Sequence, residues 1–213
     1  MSSSFFRQVF AGKTIGRILF NEAVEKHCSG LSGRVVDLAG GGSPSYRKFL
    51  PQGVALISTD YKKGPGVDLV VNLNDPLPFE DNSEEFLLCF NAIYILEDRV
   101  LFLREIFRTL RPGGKLFLSS PFISNEMSEP HDYVRLTQEG LRREFLCAGF
   151  SDVSLTPYGE RATAAAFLLH PILHFNTLRY FVYVLAIFLD RMTPVRLKES
   201  HPAPIGYFVV ARK

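Results

Sequence analysis

Residues 33–46 read G-R-V-V-D-L-A-G-G-G-S-P-S-Y, and no other stretch restricts the fold so tightly. Val35, Val36 and Leu38 bracket Asp37 in a short apolar run that suits a buried strand. The run breaks into Gly40, Gly41 and Gly42, where the backbone can take positive φ and a ligand can come close without a Cβ in its way. Ser43 suits an N-cap and Pro44 the first helical position, so a helix is predicted over 44–50. Strand, glycine turn and helix N-terminus in this order make a nucleotide-type pocket. A loop that merely turns the chain is the alternative, because a glycine run alone is a weak signal.

The downstream pattern decides between them. Val54 to Asp60 reads as a second strand ending in an acid, and Asp60 lies 18 residues past Gly42 (60 − 42). An acid near this offset can accept both hydroxyls of a ribose, whereas taken alone it would be a solvated loop Asp. Val67 to Leu73 and Phe86 to Phe90 read as further strands, the second apolar throughout as a central parallel strand should be. Ile95 to Leu110 reads as a helix stopped by Arg111-Pro112-Gly113-Gly114, with a fifth strand over 115–119. Thr137 caps a helix ending at Ala148-Gly149, and the segments 150–155 and 205–211 complete the strands. This alternation predicts an α/β fold, a doubly wound sheet of about seven strands flanked by helices.

Composition removes several function classes. A net charge of +2 argues against a dedicated nucleic-acid binder. Cys28, Cys89 and Cys147 make neither a zinc spacing nor a disulfide framework, which favours a reducing, cytoplasmic setting, and no metal site is expected. The N-terminus lacks the basic, apolar, small-residue order of a secretory signal. Gly12-Lys13-Thr14 resembles the end of a P-loop, but the glycine required five residues earlier is Arg7, so that reading fails. A nicotinamide fingerprint fails too, for want of a third glycine near Ser45.

Two apolar regions flank this core. Residues 4–28 carry Phe5, Phe6, Val9, Phe10, Ile15, Ile18, Leu19 and Val24 at near-helical spacing, predicting one or two amphipathic helices. Arg161 to Met192 is an apolar insertion in which Pro171 should kink or split a helix. It is interrupted too often to span a bilayer. Burial under the N-terminal helices or in a homodimer interface is the favoured reading, with peripheral membrane contact through 163–189 as the alternative. His170 and His174 are spaced as a metal pair, but Pro171 between them favours core or pocket histidines. The insertion's place before the last strand predicts that it roofs an acceptor site and selects an apolar or amphipathic substrate.

Six segments in order carry a family likeness: V-V-D-L-A-G-G-G-S, T-D-Y, N-L-N-D-P-L-P-F-E-D-N-S, L-R-E-I-F-R-T-L-R-P-G-G-K-L-F-L-S-S-P-F, P-H-D-Y-V-R-L-T-Q-E-G-L-R-R-E-F-L-C-A-G-F and G-Y-F-V-V-A-R-K. They resemble the class I S-adenosylmethionine-dependent methyltransferases, in their small-molecule, methyltransferase-domain-11-like branch. The resemblance implies a mixed sheet with an antiparallel last strand and S-adenosyl-L-methionine as cofactor. It further implies methyl transfer to a small or glycan- or lipid-linked acceptor, in the cytoplasm or at a membrane. The chain would form one domain over 1–213, with a helical lid (1–30), a cofactor core (31–160), the insertion (161–195) and a closing strand (196–213).

By the same resemblance Ala39, Gly40, Gly41, Gly42 and Ser43 lie beside the methionine part of the cofactor, with Asp37 ordering their loop. Asp60 holds the ribose, Tyr61 flanks the adenine, Asn72 and Leu73 meet the ring, and Asn91 with Ala92 lines the inner pocket. Ala39 and Ser43 stand where the family has glycines, Asn72 replaces an acid, and Tyr94-Ile95 replaces an acid and a histidine. A catalytically degenerate binding protein is therefore the alternative. His131 is the candidate general base, with Tyr133 beside it and Asp132 adjacent in sequence; hydrogen-bonded anchors for the Pro130–Tyr133 loop are the other reading. Arg135 would clamp an acidic acceptor group or pair with an acid of its own chain.

Overall fold

A computed structural model describes residues 3–127 and 131–213. Its strands are β1 (Gly33–Leu38), β2 (Val54–Asp60), β3 (Leu69–Val70), β4 (Glu84–Phe90), β5 (Leu110–Pro121), β6 (Asp152–Tyr158) and β7 (Gly206–Arg212). The helices are α1 (Ser3–Phe10), α2 (Ile15–His27), α3 (Arg99–Thr109), α4 (Gln138–Ala148), α5 (Arg161–Leu168), α6 (Asn176–Met192) and α7 (Val195–Ser200). The strands form one sheet in the order β3-β2-β1-β4-β5-β7-β6. Strands β1 to β5 pair in parallel, and β7 runs antiparallel to both β5 and β6. This is the doubly wound sheet that the alternation of elements predicts, with the antiparallel closing strand that the family resemblance implies.

Alternation along β1 sorts the core into two layers. Val36 and Leu38 pack with Leu87, Cys89 and the apolar sides of α3 and α4. Val35 faces the other way, with Leu56, Leu88, Phe90 and α2. A third cluster joins α1, α2, α5 and α6 around Val9, Ile18, Ala164 and Tyr183, beside the sheet rather than on it.

Several boundaries differ from the sequence reading, each for a local reason. The helix predicted over 44–50 is a single 3-10 turn, Arg47–Phe49, so Ser43 and Pro44 do not start an α-helix. Tyr46 is drawn inward, its ring buried between Phe20 and Phe90, and Pro51 with Gly53 leaves no room for more turns. The third strand shrinks to two residues because the Asp68 side chain takes the Ser58 N–H at 2.8 Å, replacing a ladder partner. The helix after β4 starts at Arg99, capped by Asp98 on the Leu101 N–H, after a 3-10 turn at Ile93–Ile95. Arg111 to Gly114, expected as a helix stop, forms the irregular beginning of β5. Thr137 caps α4, and Gly149 ends it at φ 108°.

Pro171 does split the insertion. It lies in a 3-10 turn, His170–Ile172, between α5 and α6. Two charges inside the apolar stretch, Arg179 and Asp190, turn inward. Asp190 accepts the Ala162 and Thr163 N–H groups and the Thr163 hydroxyl at 2.6–3.0 Å, holding the start of α5. Arg179 donates to the Leu173 carbonyl at 2.7 Å, and His170 Nδ1 meets the Tyr183 hydroxyl at 2.7 Å. Among the described residues no helix is long and apolar enough to cross a membrane.

Candidate functional site

Two adjoining cavities open at the carboxyl ends of β1, β2 and β4. Neighbours β2 and β4 lie on opposite sides of β1, so the connections diverge there and leave a crevice. One cavity, of about 360 Å³, is lined by Asp60, Tyr61, Asn72, Leu73, Ala92 and His131, among others. The second, of about 420 Å³, is lined by Arg17 and Phe20 of α2, Gly40, Tyr46, Tyr158 and Phe167 of α5, with others. Ala39, Asn91 and Tyr94 line both and form the shared wall.

That wall stores backbone strain. Ala39 and Asn91 follow β1 and β4 directly, and both adopt the left-handed region, at φ 59° and 53°. Asn91 is held there by its N–H on the Ser119 carbonyl and hydroxyl, both at 3.0 Å, while the hydroxyl returns a bond to its amide oxygen at 3.1 Å. Ala39 has the weaker support of a 3.4 Å contact from its N–H to the Thr59 hydroxyl.

The glycine run works differently from its sequence reading. A Cβ on Gly40 would overlap the Asp37 carboxylate, and one on Gly42 would overlap the Pro65 backbone. Both glycines are thus required by the loop's own packing, and Gly40 lines the second cavity as well. Gly41, at φ 66°, is the one whose missing side chain leaves the Asp60 carboxylate uncovered, since a Cβ there would stand 3.5 Å from Oδ2. Ser43 and Gly41 line neither cavity, and Asp37 lies beneath the loop.

Asp37 is fully buried and takes the Tyr46 hydroxyl on both carboxylate oxygens, at 2.8 and 2.7 Å. Burial pushes its pKa up to about 7, with the Tyr46 bond opposing the rise. It therefore orders the loop twice, through the space Gly40 leaves and through Tyr46.

The acidic and amide positions converge as expected, with one change. Asp60 Oδ1 accepts the Lys62 N–H at 3.1 Å while Oδ2 faces Gly41. Asn72 spends its amide on its own turn, donating to Asp75 at 3.0 Å and accepting from the Asn74 N–H at 3.2 Å. Its side chain is committed there, and the buried Leu73 supplies the apolar wall.

His131 and Tyr133 do not gather around the second cavity. His131 lines the cavity of Asp60 and Asn72, its ring stacked 5.3 Å from that of Tyr133, which is half exposed and lines neither. Asp132 does not face His131: both its oxygens engage Arg135, and it accepts the Met127 N–H at 2.8 Å. The Arg135 guanidinium holds the Asp132 carboxyl below its ordinary range, and lies 5.1 Å over the Tyr94 ring. Arg135 thus pairs within its own loop and steadies Tyr94. Pro130, at the start of that loop, lies outside the described residues.

Sequence reasoning expected a helical lid over 1–30 but named no site residue on α2 or β6. Arg17 reaches the second cavity with its guanidinium 5.4 Å from the Phe20 ring, and among the described residues no carboxylate pairs with it. Tyr158 lies across from it, its hydroxyl pKa pushed up by burial so that it stays protonated. Gly16 lets the insertion close in: a Cβ there would meet Phe167 at 3.0 Å and Ile205 at 3.3 Å. Of the insertion only Phe167 reaches the cavity, so α6 does not roof it.

A methyltransferase-domain family model matches residues 49–118. A curated relative, phthiotriol/phenolphthiotriol dimycocerosates methyltransferase 1 of Mycobacterium ulcerans (strain Agy99), is 40% identical over 65 residues, covering 30% of this chain. That match spans 24% of the relative's own length. Among solved structures, a SAM-dependent methyltransferase from Archaeoglobus fulgidus superposes at a TM-score of 0.61, with 16% identity and full coverage of both chains. The SpnF cyclase superposes at 0.58 with 20% identity, covering 91% of this chain and 80% of its own. Strand order, the crevice where the connections diverge and these similarities together identify the fold as that of the class I S-adenosylmethionine-dependent methyltransferases.

Proposed function

We propose that this protein transfers a methyl group from S-adenosyl-L-methionine to a small or glycan- or lipid-linked acceptor. The observation that carries the reading is the pair of cavities meeting at Ala39, Asn91 and Tyr94. One offers an acid at a strand tip beside an apolar wall, and the other an unpaired cation beside aromatic rings. The residues fit the cofactor: Gly41 leaves Asp60 Oδ2 uncovered for ribose hydroxyls, and Arg17 has charge to spare for a carboxylate. Leu73 and Ala92 offer the adenine an apolar wall.

Bound S-adenosylmethionine would supply a methyl already activated by its sulfonium. The chain's task is then orientation and exclusion of water. Asp60 and Arg17 would grip opposite ends of the cofactor, and Phe20, Tyr46, Tyr158 and Phe167 would keep water from the space between. The Tyr158 hydroxyl, protonated because it is buried, can donate a hydrogen bond to an acceptor but is a poor base. His131 stands on the adenosine side, which favours its reading as an anchor.

Calorimetry with S-adenosylmethionine and its demethylated product tests the proposal. Binding of neither at millimolar levels would defeat it. A second reading, a cofactor-holding protein without transfer, draws on Ala39, whose methyl occupies the shared wall, and on the lack of a placed base. It predicts binding without donor consumption across an acceptor screen. The SpnF cyclase is a reminder that this fold carries more than one chemistry.

A further inference from the structure

The outer face of α6 is apolar from end to end. Phe175, Leu178, Phe181, Leu185, Phe188 and Met192 follow at steps of three and four residues, a single helical stripe. Phe175 is 74% exposed, Phe181 64% and Met192 68%. A 17-residue helix is about 26 Å long, so this patch far exceeds the isolated apolar residues normal on a monomer. The face continues through exposed Leu168, Leu169 and Ile172 to Phe167 at the second cavity, and across Tyr180 to Phe6 and Phe10 of α1.

Charge says what covers it. Between Arg161 and Lys198 the only acid is Asp190, and it is buried against the start of α5. The first twenty residues carry Arg7, Lys13 and Arg17 and no acid. Arg191 and Arg196 are exposed at one end of the stripe and Arg7 at the other; Glu22, near Arg191, and Glu199, after Lys198, are the acids at that rim. An apolar stripe with basic ends matches the interface of an anionic bilayer, where rings enter the acyl boundary and cations meet headgroups. A second copy of the chain fits less well, because a two-fold contact sets like patches together and would bring basic rims against each other.

We propose that α6, α1 and the 168–172 turn dock the protein on an anionic lipid surface, with Phe167 marking where an amphipathic acceptor would enter the cavity. The entry route rests on the transferase reading above; the docking does not. The test is co-flotation with phosphatidylcholine vesicles with and without one-third phosphatidylglycerol. Binding to the anionic vesicles, weakened by salt, is expected, and the Phe181→Ser/Phe188→Ser double variant should bind at least tenfold less. Its cofactor affinity by calorimetry should be unchanged, which shows that the fold survives. No vesicle binding by the unaltered protein, whether it sediments as monomer or dimer, would overturn the proposal. Vesicle binding that the double variant retains would overturn it as well. Vesicle binding without cofactor binding would sink the transferase reading alone, and cofactor binding without vesicle binding would sink the docking alone.

Discussion

The glycine loop after β1 and the insertion before β7 handle polarity in opposite ways. At the loop, apolar strand residues are buried and polar groups collect at a cleft where a ligand can use them. In the insertion, Arg179 and Asp190 are buried and satisfy backbone groups, while Phe175, Phe181 and Phe188 face outward. The first is a site made by the ends of a sheet. The second is a surface in which Arg179 and Asp190 are spent internally, which leaves the outer stripe uncharged between its basic ends.

The contrast can be broken most sharply at Asp60. On the proposed role of Asp60 as the ribose acid, replacing it by Ala would remove two charge-assisted bonds, about 3 kcal/mol in all, so cofactor affinity should fall about a hundredfold in calorimetry with little change in stability. Asp190→Ala should do the reverse. Three donors at the start of α5 lose their acceptor, which should cost about 2–3 kcal/mol in urea unfolding while cofactor affinity holds. If Asp190→Ala abolished cofactor binding in a folded protein, the two regions would not be separable.

Tyr46→Phe should destabilise by about 1–2 kcal/mol, because it strips the buried Asp37 carboxylate of its donor. Asp37 also makes stability depend on pH. Its pKa rises from 3.8 to about 7 on folding, so the folded chain keeps a proton that the unfolded chain has lost. That contribution is fully present below pH 3.8, declines as pH rises toward about 7 and is gone above it. Denaturation midpoints measured across this window should show the decline, and Asp37→Asn should flatten it. Ala39→Gly should gain about 1 kcal/mol by relieving a left-handed alanine. It should also tighten cofactor binding if the methyl crowds the shared wall. Phe181→Ser, on the exposed stripe, should move stability by no more than about 0.5 kcal/mol.

Much of the cleft was legible because its logic is local. A strand, a glycine run and an acid at the next strand tip are contiguous signals, and Asp60, Tyr61, Leu73, Asn91 and Ala92 line the crevice where the strand order turns back. The reason for each glycine was not legible. Gly40 and Gly42 make room for Asp37 and Pro65, contacts that depend on how the loop folds back. Arg17 and Tyr158 escaped notice because neither sits in a motif, and over 100 residues of chain separate them. His131 looked like a base beside Asp132, but the backbone sends the two side chains to different partners.

By itself, then, the sequence determined the alternation of strands and helices, the place of the cleft and the acid at its edge. Each is a short-range pattern of hydrophobic period and turn chemistry. Tertiary structure alone decided which side of α6 faces outward, since large apolar residues occur on both sides of that helix and packing against α1 and α5 selects its inner face. It also decided that Ala39 adopts the left-handed region and that Tyr46 closes over Asp37, because both depend on neighbours brought in from β2, β4 and α2.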